Sequence, residues 1–429
     1  MIAPNPDVSD LVRDGWVHRR IYTDPDIFKL EMERIFHRTW IFVGHESQVP
    51  HPGDFCCTTI GTQPVLMVRH TDRTVRVIYN RCSHRGAKVV NEASGNVRRF
   101  RCPYHAWTYE TDGKLRVVPM RNAYPADIDF SDQKFDMSPV ARFESYHGFV
   151  FANLSREGPG LHEYFGGAQR AIDDLIARAP EGEVEFIGGV QKYEFRGNWK
   201  LQTENLCDQY HTSFTHESSA SKDGYQYKRR AGDDQQQTRI LNEKGEIVSH
   251  DYGVWFYQNG HNSIGAMHFE TEPTGPVYER YRLALEKRHG AARTKEILKL
   301  KRHNGFFYPS MDIHHMGQFI RVFRPLEVDR TQVLAFPMHL KGAPIELYED
   351  VIRVMNLSHS AAAIAQTDDL EVFERCQAGL LAQNEDWMIY MRGYGMDVDD
   401  EAGVKYGPNT SENAMRVQHQ VWRKFMTSE

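Results

Sequence analysis

The pattern of apolar and polar positions divides the chain into three stretches. In the first, Asp24-Pro25 is typical of a helix start, because aspartate caps helices and proline is accepted at the first helical position. An apolar stripe follows at Ile27, Leu30, Met32 and Ile35. The pattern therefore predicts an amphipathic helix over residues 24–36.

From about residue 40 to 155, short apolar runs lie between turn residues. Residues 64–68, 74–79 and 148–151 are typical of strands. Asp112-Gly113 separates two further runs, which is a strong hairpin signal. This stretch predicts a small all-β domain.

After residue 160, helical and strand patterns mix. Helices are predicted over residues 162–179, 277–300, 344–358, 368–384 and 413–426. Strands are predicted over residues 184–195, 252–258, 317–325 and 331–340. Strands bracketed by long helices predict an α+β domain. We divide the chain into residues 1–39, 40–157 and 158–429.

Composition narrows the classes of function. The chain has 429 residues, of which 40% are hydrophobic and 26% charged, as expected of a folded protein of two or three domains. No apolar run approaches the length of a membrane span, and the net charge of −6 gives no attraction to nucleic acid or anionic lipid. The first residues do not resemble a signal peptide. We expect a cytoplasmic protein without nucleic-acid or membrane partners.

Two cysteines and two histidines form the pattern C-x-H-x17-C-x2-H, from Cys82 and His84 to Cys102 and His105. In a reducing cytosol, cysteines with a function are metal ligands or nucleophiles rather than disulfide partners. Two thiolates on one iron and two imidazoles on the other are the ligands of a Rieske [2Fe–2S] cluster. A structural zinc site is the alternative, but zinc fingers pair cysteine with cysteine and histidine with histidine. The alternation favours the cluster.

A second group of candidate ligands contains Asp208, His211 and His216. On a helix Asp208 and His211 would share a face, whereas His211 and His216 would not. If both histidines bind one metal, the helix must bend or end between them. Two histidines and one carboxylate leave open positions on an iron, and Asp368 or Asp369 offers the carboxylate. Alone this pattern is weak evidence for a metal site. A one-electron cluster in the same chain strengthens it, because the cluster needs an electron acceptor.

These residues resemble the large (alpha) subunit of Rieske non-heme iron ring-hydroxylating dioxygenases, nearest the benzoate, toluate and anthranilate group. The resembling segments are residues 45–48, 82–86, 141–146, 197–201, 204–211, 320–325 and 368–371. The resemblance implies a Rieske domain at 40–157 and a catalytic domain of helix-grip type at 158–429, against which the helical segment 1–39 packs. One departure is Ala106, where many members have glycine.

The resemblance also implies the cofactors and the residues that hold them. Cys82, His84, Cys102 and His105 would bind the [2Fe–2S] cluster, and His211, His216 and Asp369 the mononuclear Fe(II), with O2 as cosubstrate. An ungapped alignment would favour Asp368 over Asp369, so both stay open. Asp208 matches an aspartate that joins the cluster of one subunit to the iron of its neighbour, and is therefore expected to orient ligands rather than bind metal.

The activity implied is cis-dihydroxylation of an aromatic acid such as a benzoate, salicylate or anthranilate. The implied partners are a small beta subunit in an α3β3 assembly, and a ferredoxin or an NAD(P)H reductase that supplies electrons. A Rieske monooxygenase, of salicylate hydroxylase or demethylase type, is the first alternative; an electron carrier and a zinc hydrolase are weaker ones. Asp312 and His314 would share a strand face, with His315 pointing away, and a substrate-facing role for His314 is open.

Overall fold

The computed structural model describes residues 7–216, 253–265, 267–268, 274–301, 303–315, 317–399, 404–408 and 410–428. The chain forms two compact units. One is Phe36–Leu161, and the other combines Met1–Ile35 with His162–Glu429. The finer domain boundaries at residues 39/40 and 157/158 stay a prediction.

The unit Phe36–Leu161 is built from three small antiparallel sheets. Their strands are Ile41–His45, Arg142–Tyr146 and Phe149–Asn153; Asp54–Ile60, Gln63–Arg69, Val75–Tyr79 and Ser94–Asn96; and Phe100–Arg101, Thr108–Tyr109 and Leu115–Val117. Short 3-10 turns lie at Glu46–Gln48, Arg121–Ala123 and Gln133–Phe135. The hairpin at Asp112-Gly113 is confirmed, since Gly113 has a φ of 93° between two paired strands. The prediction of an all-β domain is correct.

The second unit contains a nine-stranded antiparallel sheet among its described residues. In spatial order its strands are Gln191–Phe195, Arg330–Pro337, Phe319–Glu327, Met311–His314, Asn304–Phe307, Asn262–Ile264, Gly253–Phe256, Lys405–Pro408 and Val398–Asp399. Smaller pairings join Val12–Arg13, Trp16–His18 and Trp387–Ile389; Val184–Glu185 and His339–Leu340; and Met267–His268 and Leu300–Lys301. The predicted α+β class with a large antiparallel sheet is confirmed.

The described helices lie mostly where periodicity predicted them. They are Arg20–Thr23, Pro25–Glu31, Leu161–Phe165, Arg170–Ala177, Trp199–Asn205, Thr212–Thr215, Pro276–His289, Ala291–Lys299, Ile345–Ser358, Gln366–Gly379 and Asn413–Thr427, with a π-helix at Met32–Phe36 and 3-10 turns at Gly166–Gln169 and Gln258–Gly260. The side chain of Asp24 accepts from the amides of Asp26 and Ile27, which confirms the predicted cap.

Four long predictions were wrong in their continuity, among them the strand over 331–340, which divides into Arg330–Pro337 and His339–Leu340. The helix predicted over 277–300 is broken at Gly290, whose φ of 77° a helix does not allow. The helix over 162–179 is interrupted by a 3-10 turn, and the strand over 184–195 divides in two. Of the described residues, no helix is long and apolar enough to cross a bilayer.

One face of the large sheet supports the region of the predicted iron site. Asp312 pairs with Arg321 and His314 with Phe319 across neighbouring strands, so these four side chains share a face. The predicted common face of Asp312 and His314 is therefore confirmed. The C-terminal helix packs on this sheet, where Ala414 and Met415 join a cluster of buried residues comprising Cys207, Val254, Phe256 and Ile264.

Helix Trp199–Asn205 is held by a buried charge. The fully buried carboxylate of Glu31 accepts hydrogen bonds from the indole of Trp199 at 2.9 Å and from that of Trp422 at 2.6 Å, and it pairs with the ammonium of Lys200. Burial lowers the pKa of Lys200, and Glu31 opposes that shift. Glu31 thereby ties the N-terminal and C-terminal helices to the helix that leads into the His211 segment.

Candidate metal centres

The four predicted cluster ligands lie on two similar loops. One follows strand Val75–Tyr79, where the amide of Gly86 donates to the carbonyl of Cys82 at 2.9 Å. The other follows strand Phe100–Arg101, where the amide of Ala106 donates to the carbonyl of Cys102 at 3.0 Å. Each loop thus turns back on its cysteine and presents one thiol and one imidazole.

The two loops bring like ligands together. The ring centroids of His84 and His105 are 4.7 Å apart, and the thiols of Cys82 and Cys102 lie within hydrogen-bonding reach. Both cysteines are buried, and the Sγ of Cys82 is 3.1 Å from the hydroxyl of Tyr109. Sulfur atoms on one side and imidazoles on the other match the donor set that a Rieske cluster needs.

His84 is held for ligation by its surroundings. Its ring stacks on Trp107 with centroids 4.9 Å apart and an interplanar angle of 4°. Burial, followed by electrostatic repulsion from His105 and Arg85, lowers the pKa of His84 and favours the neutral ring that binds metals. Its Nδ1 is buried without a hydrogen-bond partner among the described residues. An orphaned ring nitrogen of this kind fits a metal ligand.

Ala106 occupies a backbone conformation that glycine adopts more easily. Its φ is 58°, while Gly86, the corresponding residue of the first loop, has a φ of 75°. A left-handed conformation crowds a Cβ atom, so only glycine adopts it without cost. Ala106 is therefore less suited to this turn than the glycine found in many family members. It is not one of the four predicted ligands.

The second candidate centre lies just beyond helix Trp199–Asn205. His211 and His216 stand at the two ends of the short helix Thr212–Thr215, which ends before His216, so a helix ends between the two histidines as their spacing required. Asp208 lies outside both helices. The prediction that Asp208 and His211 share a helical face is therefore wrong, although the two side chains do meet. Instead Oδ1 of Asp208 accepts from the amide of Tyr210 at 2.6 Å, which turns the chain back towards it.

Asp369 completes this centre. His211, His216 and Asp369 each offer a ligand atom, and these atoms all lie within 4.8 Å of one another. Oδ1 of Asp369 is 3.5 Å from Nε2 of His211 and 3.2 Å from Nε2 of His216. Asp369 is buried at the start of helix Gln366–Gly379. Two imidazoles and one carboxylate facing a common point are a suitable donor set for Fe(II).

The other nitrogen of each imidazole faces a different carboxylate. Nδ1 of His211 is 3.4 Å from Oδ2 of Asp208, and Nδ1 of His216 is 3.3 Å from Oδ2 of Asp368. Burial opposes the charged form of His216, but Asp369 and Asp368 outweigh burial and raise its pKa. At His216 this contact is a hydrogen bond, whereas Asp208 acts on Nδ1 of His211 by its charge alone; both favour a proton on Nδ1 and leave Nε2 to a metal.

Asn205 is a site residue that the ligand patterns did not reveal. Its Nδ2 lies 3.0 Å from Nε2 of His211 and 3.1 Å from Oδ1 of Asp369. The amide therefore donates between two of the candidate ligands. No spacing in the sequence indicates this role, because an asparagine at a helix end is usually a cap or a surface residue.

Polar residues continue from this centre onto the sheet. The ring of His314 contacts the rings of His303 and His359, at centroid distances of 4.8 and 4.6 Å. Burial, then Arg321 and His211, lower the pKa of His303 to about 4. Asp312 is wholly buried and accepts from Arg321 at 2.8 and 3.1 Å, both times through Oδ2. His315 is buried and lies outside this strand pairing.

Two known protein families match the chain, one over each of the two candidate metal centres. Residues 39–135 match the model of the Rieske [2Fe-2S] domain, and residues 187–428 match that of the ring hydroxylating alpha subunit catalytic domain. The chain belongs to the ring-hydroxylating dioxygenase alpha-subunit family. It is 33% identical to the toluate 1,2-dioxygenase subunit alpha of Pseudomonas putida, over 95% of this chain and 90% of that protein.

A further relative supports the family assignment, and a solved structure supports the fold. The anthranilate 1,2-dioxygenase large subunit of Acinetobacter baylyi is 31% identical, over 99% of this alpha subunit and 88% of that one. A crystal structure of naphthalene 1,2-dioxygenase from Rhodococcus sp. bound to indole superposes with a TM-score of 0.80 at 24% identity, covering 96% and 95% of the chains. The predicted resemblance and fold are confirmed.

Family membership also confirms the predicted enzyme class and cofactors. This alpha subunit is the oxygenase component of an aromatic ring-hydroxylating dioxygenase, and it uses a Rieske [2Fe–2S] cluster, mononuclear iron and O2. A match to the catalytic domain over residues 187–428 argues against a bare electron carrier. The relatives are oxygenase components that act with other subunits and with electron-transfer partners.

Proposed function

We propose that this alpha subunit dihydroxylates an aromatic carboxylic acid at an iron held by His211, His216 and Asp369. The observation that carries the proposal is the convergence of these three side chains within 4.8 Å, in a chain that also has two Rieske-type ligand loops. Cys82, His84, Cys102 and His105 would hold the [2Fe–2S] cluster. When bound, the cluster would supply single electrons, and the iron would supply open coordination positions for O2 chemistry.

Asp369 rather than Asp368 is the proposed carboxylate ligand. Its Oδ1 faces the Nε2 atoms of both histidines, whereas Asp368 approaches only Nδ1 of His216. Asp368 therefore suits a supporting role, in which it holds a proton on Nδ1 and orients the ring. The two adjacent aspartates divide these roles because neighbouring residues on a helix point about 100° apart.

Asp208 is proposed to connect the iron site to a cluster. It lies at Nδ1 of His211, with about a quarter of its side chain exposed, so it can accept a further hydrogen bond from outside this unit. The family resemblance suggests that the donor is a cluster histidine of a neighbouring alpha subunit. In that role Asp208 positions His211 and couples the two centres, and it binds neither metal.

Three relatives support an aromatic acid as the substrate class. They are named for toluate, anthranilate and 2-halobenzoate dioxygenation, and they are 31–33% identical to this chain. The buried guanidinium of Arg321 is already paired with the carboxylate of Asp312 at 2.8 Å, so the carboxylate of the substrate would need another partner.

The proposed assembly contains a small beta subunit in an α3β3 arrangement. A ferredoxin or an NAD(P)H-dependent reductase would supply the electrons, as the resemblance suggests. The cytoplasmic location stays a prediction. Co-expression of the alpha subunit with its candidate beta subunit, followed by light scattering of the purified complex, would test the stoichiometry.

Product analysis tests the activity. The iron-loaded protein, a surrogate reductase and ¹⁸O2 are incubated with benzoates, salicylates, anthranilates and polycyclic hydrocarbons. We expect a cis-dihydrodiol acid, or the catechol formed from it, with two labelled oxygens. A single labelled oxygen would indicate a Rieske monooxygenase, and oxidation of hydrocarbons alone would contradict the aromatic acid class.

A further inference from the structure

The hydrogen bonds of Ser358 define which nitrogen of His359 carries the proton. The hydroxyl oxygen of Ser358 lies 2.6 Å from the carbonyl oxygen of Val354 and 2.6 Å from Nδ1 of His359. Ser358 has a single hydroxyl proton, and a carbonyl only accepts, so that proton goes to Val354. Nδ1 of His359 must then donate to Ser358. In a neutral ring this leaves Nε2 as an acceptor.

The surroundings of His359 keep its ring neutral. Burial lowers its pKa well below the usual value, and the positive charge of Arg321 and the neighbouring His303 and His216 act in the same direction. Among the described residues, the side chain of His359 makes a single hydrogen bond, from Nδ1 to Ser358. No donor from these residues therefore reaches Nε2. His359 thus offers an unused acceptor in a crowded, partly exposed position.

His359 packs on the sheet and precedes, in the sequence, the helix that carries a candidate iron ligand. It follows helix Ile345–Ser358 and precedes helix Gln366–Gly379, which carries Asp369. Its ring contacts those of His314 and Phe319 on the sheet face, with centroids 4.6 and 4.8 Å away. His216, a candidate iron ligand, is near enough to contribute to the lowered pKa of His359. The ring of His359 and the sheet face on which it packs therefore form a wall near the candidate iron site.

The same wall has a second acceptor without a donor. Both hydrogen bonds from Arg321 reach Oδ2 of Asp312, whereas Oδ1 is buried and has no partner among the described residues. A buried carboxylate oxygen without a donor is costly. Asp312 would also repel a second carboxylate placed beside it. The wall therefore suits a neutral substituent that donates hydrogen bonds.

We propose that His359 determines substrate specificity by accepting a hydrogen bond, through Nε2, from a hydroxyl or amino group on the aromatic ring. The inference rests on the proposed aromatic acid oxygenase and narrows its substrates to hydroxy- or amino-substituted acids. The carboxylate of such a substrate would lie away from Asp312. His359 is a binding residue in this account and holds no metal.

Amino- and methyl-substituted benzoates provide matched probes, because NH2 and CH3 are nearly the same size. Dissociation constants of the reduced, iron-loaded protein are measured anaerobically by calorimetry for the ortho, meta and para pairs. At one ring position or more, we expect the amino compound to bind about tenfold more tightly than its methyl partner, the effect of one well-placed hydrogen bond.

Variants show whether His359 is responsible. In His359→Phe the preference should disappear or reverse, because an amino group without a partner is costly to desolvate and a methyl group is not. His359→Gln keeps an acceptor and should restore part of the preference. His339→Phe is the matched control, since His339 pairs with Glu185 on a different two-stranded sheet, and it should keep the full preference.

The outcomes separate this inference from the proposed function. Equal binding of amino and methyl partners, with both oxygenated, would overturn the role of His359 and leave the aromatic acid oxygenase intact. A preference that persists in His359→Phe would do the same. If the iron-loaded protein neither bound nor oxygenated any benzoate, the substrate class and the inference would both be wrong.

Discussion

The carboxylate of Asp208 lies 3.4 Å from Nδ1 of His211, on the side of the ring opposite the atom that faces Asp369. The same relationship recurs between Asp368 and His216 at 3.3 Å. Each histidine is thus held between a carboxylate at Nδ1 and the shared carboxylate of Asp369 at Nε2. Carboxylates in this position fix the tautomer and the orientation of a metal-binding imidazole.

The first prediction concerns Asp208→Asn. The substitution keeps the size of the side chain but removes its negative charge, so both irons should stay bound. Coupling through His211 should fail, and turnover should fall by about 10- to 100-fold or more. Metal analysis and the Rieske electron paramagnetic resonance signal report the irons, while rapid-mixing spectroscopy reports reoxidation of the cluster by O2 and substrate.

Asp399→Asn is a suitable control, because Asp399 is an exposed carboxylate paired only loosely with Lys405. It should retain both irons and full activity. Turnover of Asp208→Asn at the wild-type rate would refute the coupling role. Loss of the mononuclear iron from that variant would instead make Asp208 part of the metal-binding set.

The second prediction separates the two adjacent aspartates. Asp369→Asn should lower the iron content from about three atoms per chain to about two, with an unchanged Rieske spectrum, because a carboxylate facing both Nε2 atoms is lost. Asp368→Asn should retain about three, with weaker binding of the mononuclear iron. Iron analysis after dialysis against a weak chelator measures both. The reverse order of iron loss would assign the ligand role to Asp368.

The sequence was informative where the chemistry needs particular residue types. The alternating cysteine and histidine pattern predicted both ligand loops, and short apolar runs at residues 64–68 and 74–79 predicted the strands Gln63–Arg69 and Val75–Tyr79. A helix was expected to bend or end between His211 and His216, and the short helix Thr212–Thr215 ends there. These features depend on local spacing, which the sequence contains directly.

Other features depend on contacts between distant parts of the chain. Strand Asn304–Phe307 was not predicted, because its short run shows no clear period of two. Asn205 meets Asp369 across 164 positions, and His359 meets Phe319 through packing between a helix end and a strand. Neither pair has a sequence spacing that would reveal it. The choice between Asp368 and Asp369 likewise required the orientation of helix Gln366–Gly379.

The third prediction concerns the second cluster loop. Ala106→Gly removes a Cβ atom at a φ of 58°, and relief of that crowding should exceed the added entropy of the unfolded chain. We expect the free energy of unfolding to rise by up to about 1 kcal/mol, with an unchanged cluster spectrum. Denaturant titration followed by visible circular dichroism of the cluster measures the change.

Ala123→Gly is the matched control, because Ala123 lies in an exposed 3-10 turn and is not among the residues with positive φ. Glycine there should destabilise by about 0.5–1 kcal/mol. Destabilisation by both substitutions would show that the loop conformation at Ala106 carries no crowding to relieve.

The fourth prediction concerns the pH dependence of stability through His261. This buried ring accepts from the amide of Tyr308 through Nδ1 and donates to the carbonyl of Tyr164 through Nε2, each at 2.9 Å, so it is held in its neutral form. Burial lowers its pKa from 6.5 to about 4 in the folded protein. Between these pH values the unfolded chain binds a proton that the folded protein does not. The stabilisation from neutral His261 is therefore complete above about pH 6.5 and is lost as the pH falls towards 4, by about 3 kcal/mol at most.

His261→Gln removes this titration and keeps one donor and one acceptor. The difference in unfolding free energy between wild type and variant should shrink steadily from pH 7 to pH 4.5, measured by denaturant titration with tryptophan fluorescence. Taking the difference cancels the contribution of His303, whose lowered pKa acts in the same direction in both proteins. A difference that stays constant over this range would mean that His261 keeps the same pKa folded and unfolded, and that its two hydrogen bonds do not hold the ring neutral.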